Sequence, residues 1–336
     1  MAKAKILATG VYAPGEGISN IELTRLTGIE FDAARLESKI GIKMRHIARL
    51  RGIPETTADF AEKAARAALA DAGVAADDVG LFIVATDTPE FISPATAILL
   101  QGRLQGGETG AEAFDLGASC ASFVTALDSA ARSLATDRSL RYALVVGVYN
   151  MPAYLRPGDQ FGWTLFADGA GAVLLGRVED DDPSGYIEGT FRADGTQWNY
   201  VGVYAGGTRK PVTRELLEAG TWGLELLQRL PGDRNVKLWP PLVQRLLEKS
   251  GMRVADVDHI FFTQINVSVI REVMGILGLP MERTTCVMDR YGYTGSACIP
   301  MALHSAMSEG RVRKGDTVVL VASGSGFAVG ANLLVL

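Results

Sequence analysis

Cysteine and histidine are scarce in this chain of 336 residues, at three each. Cys120, Cys286 and Cys298 are too few and too scattered for a disulfide framework, and no C-x-x-C pair offers a zinc or redox site. No metal site is expected, and a reducing compartment suits these thiols. His46, His259 and His304 are the whole supply of imidazole. No run of about 18 apolar residues occurs, and the opening Met-Ala-Lys-Ala-Lys-Ile-Leu lacks an apolar signal segment. A cytoplasmic protein with no membrane partner is expected. Basic blocks are absent beyond Arg311, Arg313 and Lys314, and the net charge is −5, which argues against nucleic acid as a partner. Gly324-Ser325-Gly326 lacks the spacing and lysine of a phosphate loop, so no nucleotide and no cofactor is expected. The chain is instead rich in apolar residues, at 48%, enough to bury a substantial core as one large domain or two fused halves.

Apolar runs of strand length, Leu81 to Ala85, Ala143 to Val148, Ala172 to Leu175, Ile260 to Phe262 and Val318 to Ala322, alternate with helical stretches. That pattern predicts an α/β fold with strands buried on both faces. Thr57 is a candidate cap and Gly73 a candidate stop for a helix whose Phe60, Ala64, Ala65, Ala68 and Leu69 share one face. The segment from Leu69 to Thr86 returns at Leu247 to Gln264, Ala126 to Ala130 returns at Ala302 to Ala306, and Tyr142 to Val148 at Thr317 to Ser323. The offsets are 178, 176 and 175 residues (251 − 73, 302 − 126, 317 − 142). Ordered matches at near-constant spacing predict duplicated halves. The division expected is 1–178 for the half carrying Cys120 and 179–336 for the other, with the acidic run Glu179 to Asp182 as a solvated turn between them. Residues 184–235 have no counterpart in the first half and are expected to form a cap or loop insertion over the site.

Cys120 lies among small residues, where an apolar strand ends and an Ala-rich helix follows. A thiol at a helix N-terminus meets backbone N–H groups and a dipole that favour thiolate, making Cys120 the candidate nucleophile. Asp87 and Glu90 flank Pro89 and read as solvated loop carboxylates. Cys286 and Cys298 read as packing residues.

Several ordered segments resemble the thiolase superfamily, specifically 3-oxoacyl-(acyl carrier protein) synthase III. Gly41-Ile42 with Arg45-His46-Ile47-Ala48 resembles the family's "GI..RHIA" segment, and Leu165 to Ala172 (LFADGAGA) resembles "FGDGAGA". Thr263 to Asn266 (TQIN) resembles "HQAN", Tyr291 to Pro300 (YGYTGSACIP) resembles "YGNTSAASIP", and Gly324 to Gly330 resembles the closing glycine-rich loop. The resemblance implies the five-layered α-β-α-β-α thiolase fold, a homodimer, and an acyl-enzyme on Cys120. It further implies an oxyanion hole from the backbone N–H groups of Cys120 and Ser325.

Family members also use a His and an Asn to decarboxylate a malonyl thioester and hold the enolate. Thr263 stands at the His position and Tyr293 at the Asn position, while Asn266 matches and is expected to contact substrate. A positioned acid or base contributes about 10² to 10⁴ in rate and an oxyanion donor about 10² to 10³, so losing both cripples ordinary condensation. The aromatic that closes the acyl pocket at the dimer interface is Ser93, which leaves room for a longer or branched chain. The Trp and Arg that grip coenzyme A fall at Arg35 and Ala153, and the Arg that docks acyl carrier protein falls at Ser268. Neither carrier is supported by its usual contacts, and the donor expected is an acyl thioester of coenzyme A or of acyl carrier protein. Three readings stay open: an acyltransferase passing the acyl group of Cys120 to an acceptor with its own nucleophile, a decarboxylating 3-oxoacyl synthase, and a non-catalytic partner subunit of a condensing enzyme.

Overall fold

The computed structural model describes residues 2–336. Strands β1 (Lys3–Tyr12), β2 (Val79–Ala85), β3 (Glu112–Leu116), β4 (Tyr142–Tyr149) and β5 (Gly169–Val178) form one sheet in the order β1-β5-β4-β2-β3. Strands β6 (Gly185–Gln197), β7 (His259–Phe262), β8 (Thr317–Gly324) and β9 (Gly326–Val335) form a second, ordered β6-β9-β8-β7. The two sheets follow one plan. In each, the first and last strands in sequence pair antiparallel at one side, and parallel pairing begins further across. At the outer edge of β7, where the first sheet has β3, only an isolated parallel bridge from Ile260 to Thr284 remains.

Helices fill the three remaining layers. On the outer face of the first sheet lie α1 (Thr57–Ala72) and α2 (Thr96–Gln105), and between the sheets lie α3 (Ser122–Thr136) and α6 (Cys298–Ser308). Beyond the second sheet lie α4 (Arg234–Lys249) and α5 (Val267–Ile276). This is the five-layered thiolase architecture. Strand β2 shows why its run is continuously apolar: Phe82 and Val84 join Phe60 and Ala64 in the outer core, while Leu81, Ile83 and Ala85 join the inner one. Every side of the strand meets protein, so no polar alternation survives.

Helix α1 starts one residue earlier than expected, at a cap formed by Thr56. The Asp59 carboxylate accepts from the Thr56 N–H at 2.8 Å, and Gly73 ends the helix in the left-handed region. The acidic run does fall in the turn between the sheets, where Asp182 accepts from Lys5 at 3.5 Å. Two segments differ from the sequence reading. Residues 185–197, expected within the cap, form β6 and pair with β9, so the covering segment starts after Gln197. Its glycines and charges hid the strand because it lies at the sheet edge, where one rim needs no apolar neighbour. The stretch from Gly326, read as part of a glycine-rich loop, is likewise the start of β9.

Candidate active site

A cavity of about 620 Å³ opens in front of Cys120. Its wall is mostly apolar, drawn from Leu36, Phe161, Phe166 and Val269, with Val201, Val203, Leu224 and Leu230 supplied by the covering segment. Cys120 reaches it from the turn between β3 and α3. Ser119, one residue earlier, is held at φ 52°, a left-handed conformation that costs a non-glycine residue about 1 kcal/mol or more. Gly324 packs against this turn from the end of β8. A side-chain carbon there would collide with the Ala118 carbonyl and come within 3.0 Å of the Cys120 nitrogen. Glycine is therefore what lets the loop bearing Ser325 lie along the nucleophile backbone.

The thiol does not carry the low pKa expected of a helix N-terminus. Burial, and then the nearby Asp87 carboxylate, push it up to about 12, against smaller opposing effects from Tyr293 and Ser119. A helix end is worth about 0.3–1 kcal/mol, less than a factor of ten, which desolvation beside an anion overrides. Cys120 therefore rests as the thiol at neutral pH.

Asp87, read from the sequence as a solvated loop carboxylate, is placed otherwise. It lies in the cavity wall rather than in solvent, with Oδ2 accepting from Ser119 Oγ at 2.9 Å and Oδ1 buried without a partner. Desolvation raises its pKa, which makes the carboxylate a stronger base. Ser119 Oγ lies 3.8 Å from Cys120 Sγ and accepts from Ser325 Oγ at 3.1 Å. A continuous chain thus runs from sulfur to Ser119 to Asp87. The signal available in the sequence was a carboxylate two residues past the buried end of an inner strand, a position facing the site in parallel sheets. Glu90 is not free in solvent either, since it accepts from Ala58 N–H at 2.9 Å and Thr56 Oγ1 at 2.8 Å.

The positions expected opposite the thiol divide. Tyr293 reaches the cavity, its ring packed 5.7 Å from Phe166 and 6.5 Å from Tyr149. Burial keeps it a phenol, with a pKa well above the usual value. Thr263 is fully buried behind the wall, its Oγ1 accepting from Ser323 N–H at 3.0 Å. Three side-chain heavy atoms cannot span the space an imidazole would fill, and the hydroxyl is satisfied where it stands. Ser325 and Asn266 line the cavity, and Asn266 spends Oδ1 capping α5 through Ser268 N–H at 2.9 Å. Ser93 is not brought to this wall. It is exposed on the loop before α2, beside the exposed Phe91 and Ile92, because Asp115 caps α2 and holds that loop at the molecular surface. Among the described residues no histidine lines the cavity: His46 contacts the Gly15 carbonyl at 3.1 Å, His259 the Thr285 hydroxyl at 2.8 Å and His304 the Thr9 hydroxyl at 2.9 Å.

Among the described residues no cluster of metal-ligating groups occurs, and no helix is long and apolar enough to cross a membrane. Residues 114–195 match the family model for 3-oxoacyl-[acyl-carrier-protein] synthase III, and residues 247–336 match the model for its C-terminal part. A β-ketoacyl-[acyl-carrier-protein] synthase III of Thioalkalivibrio sulfidiphilus is 36% identical, covering 99% of both chains. That of Xanthomonas campestris pv. campestris is 34% identical, over 98% of both. Among solved structures, the 3-oxoacyl-[acyl-carrier-protein] synthase III of Aquifex aeolicus superposes with a TM-score of 0.85 at 30% identity, covering 99% of this chain and 100% of that one. The priming β-ketosynthase of the R1128 polyketide biosynthetic pathway gives 0.86 at 27%, covering 99% and 96%. With the duplicated sheets, the buried cysteine before α3 and the glycine-rich turn against it, these matches make the chain a member of the 3-oxoacyl-[acyl-carrier-protein] synthase III family of the thiolase superfamily.

Proposed function

We propose that this protein is an acyltransferase that takes an acyl group from a thioester onto Cys120 and passes it, without decarboxylation, to an acceptor carrying its own nucleophile. The observation that carries this reading is the set of groups around the sulfur: a carboxylate linked through a serine hydroxyl, and no imidazole. In the loading step Cys120 gives its proton to Ser119 as Ser119 gives its own to Asp87, and the sulfur bonds to the acyl carbon. The thioester C–S bond then breaks, and the departing carrier thiol takes a proton back along the same chain. The backbone N–H groups of Cys120 and Ser325 hold the oxyanion, a role supported by the close approach of Gly324 to the nucleophile turn.

The donor is an acyl thioester of coenzyme A or acyl carrier protein, and the protein works in the cytoplasm, in fatty-acid or secondary-metabolite synthesis. A homodimer is part of the reading. Phe91, Ile92 and Ile98 are exposed apolar side chains around Ser93, the kind of patch that a second copy would cover, bringing Ser93 toward a shared acyl pocket. Decarboxylating condensation remains the second reading, favoured by the names of the relatives at 34–36% identity. Mass spectrometry after incubation with acyl thioesters tests for the acyl-enzyme. A single adduct is expected on Cys120 and none in Cys120→Ala, whereas an unmodified wild-type chain would leave only a binding subunit.

A further inference from the structure

Among the described residues two charged side chains line the cavity, Asp87 and Arg234. Asp87 is engaged with Ser119, but Arg234 is not used by the mechanism above. Its Nε and Nη2 are buried without an acceptor, and among the described residues its guanidinium makes no hydrogen bond or ion pair. Its Cζ lies over the Phe327 ring, 4.5 Å from the centroid, a cation–π contact that uses none of its N–H donors. Asp194, a carboxylate whose charge acts on it, already accepts from Thr196 and Gln197.

The location is also unfavourable on local grounds. Arg234 is the first residue of α4, where the helix dipole disfavours a cation, and its neighbour Asn235 lines the cavity with Oδ1 accepting from Ser323 Oγ at 2.9 Å. A half-buried cation at the positive end of a helix, with two buried N–H donors and no partner for them, breaks two rules that folding stability alone would keep. Such a fork matches a carboxylate in charge and in shape.

We propose that Arg234 binds the carboxylate of the acceptor, so that the molecule acylated by Cys120 is a carboxylate-bearing nucleophile such as an amino, hydroxy or mercapto acid. The identity of the acceptor rests on the acyl-transfer reading; the carboxylate site itself does not. The phosphates of a carrier do not fit as well, because they lie at the far end of the pantetheine arm. Phe327, beneath the guanidinium, is only two residues from Ser325, which touches the nucleophile turn. In the transfer step the acceptor X–H attacks the thioester carbon. The C–X bond forms and the bond to Cys120 Sγ breaks, and the proton lost by X returns to the sulfur through Asp87 and Ser119. A carboxylate held in an ion pair with Arg234 is stabilised as it stands, which works against its loss as carbon dioxide.

The test compares ratios within each protein, so that any general loss of activity in a variant cancels. Acyl-enzyme prepared from octanoyl-coenzyme A is treated with 3-mercaptopropionate or its methyl ester, and disappearance of the adduct is followed by mass spectrometry. The acid is expected to outpace the ester by about tenfold or more in the wild type and to lose that advantage in Arg234→Gln, with partial rescue in Arg234→Lys. An equal preference in wild type and Arg234→Gln would overturn the acceptor assignment. So would an effect confined to loading, seen as a changed ratio of glutaryl to butyryl thioester use, because the carboxylate would then belong to the donor. A second measurement stands apart from transfer: succinate should protect Cys120 from alkylation in the wild type and not in Arg234→Gln. Equal or absent protection refutes the site, whereas protection combined with inert acceptors refutes the transfer reading alone.

Discussion

Replacing Asp87 by Asn separates two roles that would otherwise look alike. If the carboxylate is only a charge near the sulfur, its removal helps the enzyme, because Asp87 is one of the causes that raise the Cys120 pKa. With the thiol at about 12, the thiolate fraction at neutral pH is about 10⁻⁵, and taking away the anion increases it. Alkylation by iodoacetamide, which needs thiolate and little else, should therefore be faster in Asp87→Asn than in the wild type at about pH 9. Acyl loading should move the opposite way. Ser119 Oγ would face a neutral amide in place of the carboxylate it donates to at 2.9 Å; an amide oxygen can still accept the hydrogen bond but cannot take the proton, and a positioned base is worth about 10² to 10⁴ in rate. The assay is adduct formation from octanoyl-coenzyme A on the stopped-flow or quench timescale, run beside iodoacetamide labelling of the same samples. Faster alkylation with slower loading is the expected split. Loading as fast as or faster than wild type would refute the relay and leave Asp87 as a neighbour of no catalytic use.

Two further perturbations follow from the same geometry. Gly324→Ala should slow loading by about 10²-fold, since the added carbon meets backbone atoms of the nucleophile turn and displaces a reacting group on the ångström scale; unchanged loading would contradict the close packing claimed here. Asp168 reports on pH and stability. Burial lifts its carboxyl to about 7 despite the Ala48 N–H at 2.8 Å, so its contribution is complete below the unfolded value near pH 4 and is lost as pH rises through about 7. Denaturant melts of wild type and Asp168→Asn, which cannot titrate, should show the wild type losing on the order of 2 kcal/mol relative to the variant between about pH 5 and about pH 8. Parallel pH dependences would contradict the burial assigned to Asp168.

The parts of the fold that were legible were those where periodicity and environment agree. Leu81 to Ala85 and Val318 to Ala322 are apolar throughout because both faces are covered, and the internal repeat shows in the sequence because each half repeats the same helix, turn and strand. Strand β6 escaped because an edge strand with Gly185, Gly189 and Gly195 carries little of either signal. Cys120 could be singled out as the candidate nucleophile, since it sits where a helix begins after a small-residue turn. Its pKa could not, because the dominating influences, burial and Asp87, come from 33 residues away in sequence (120 − 87) and from the closing of the cavity. Thr263 and Tyr293 show the same limit: the sequence names what replaces His and Asn, and only the packing shows that Tyr293 enters the cavity and Thr263 turns away from it.

The most direct test of the account is the stoichiometry of carbon dioxide released per acyl group leaving Cys120, measured with carboxyl-labelled malonyl thioester and, in parallel, with acceptors bearing an amine, hydroxyl or thiol. Consumption of the acyl-enzyme by such acceptors with no labelled carbon dioxide is predicted. One carbon dioxide per acyl group, accompanied by a 3-oxo product, would contradict it.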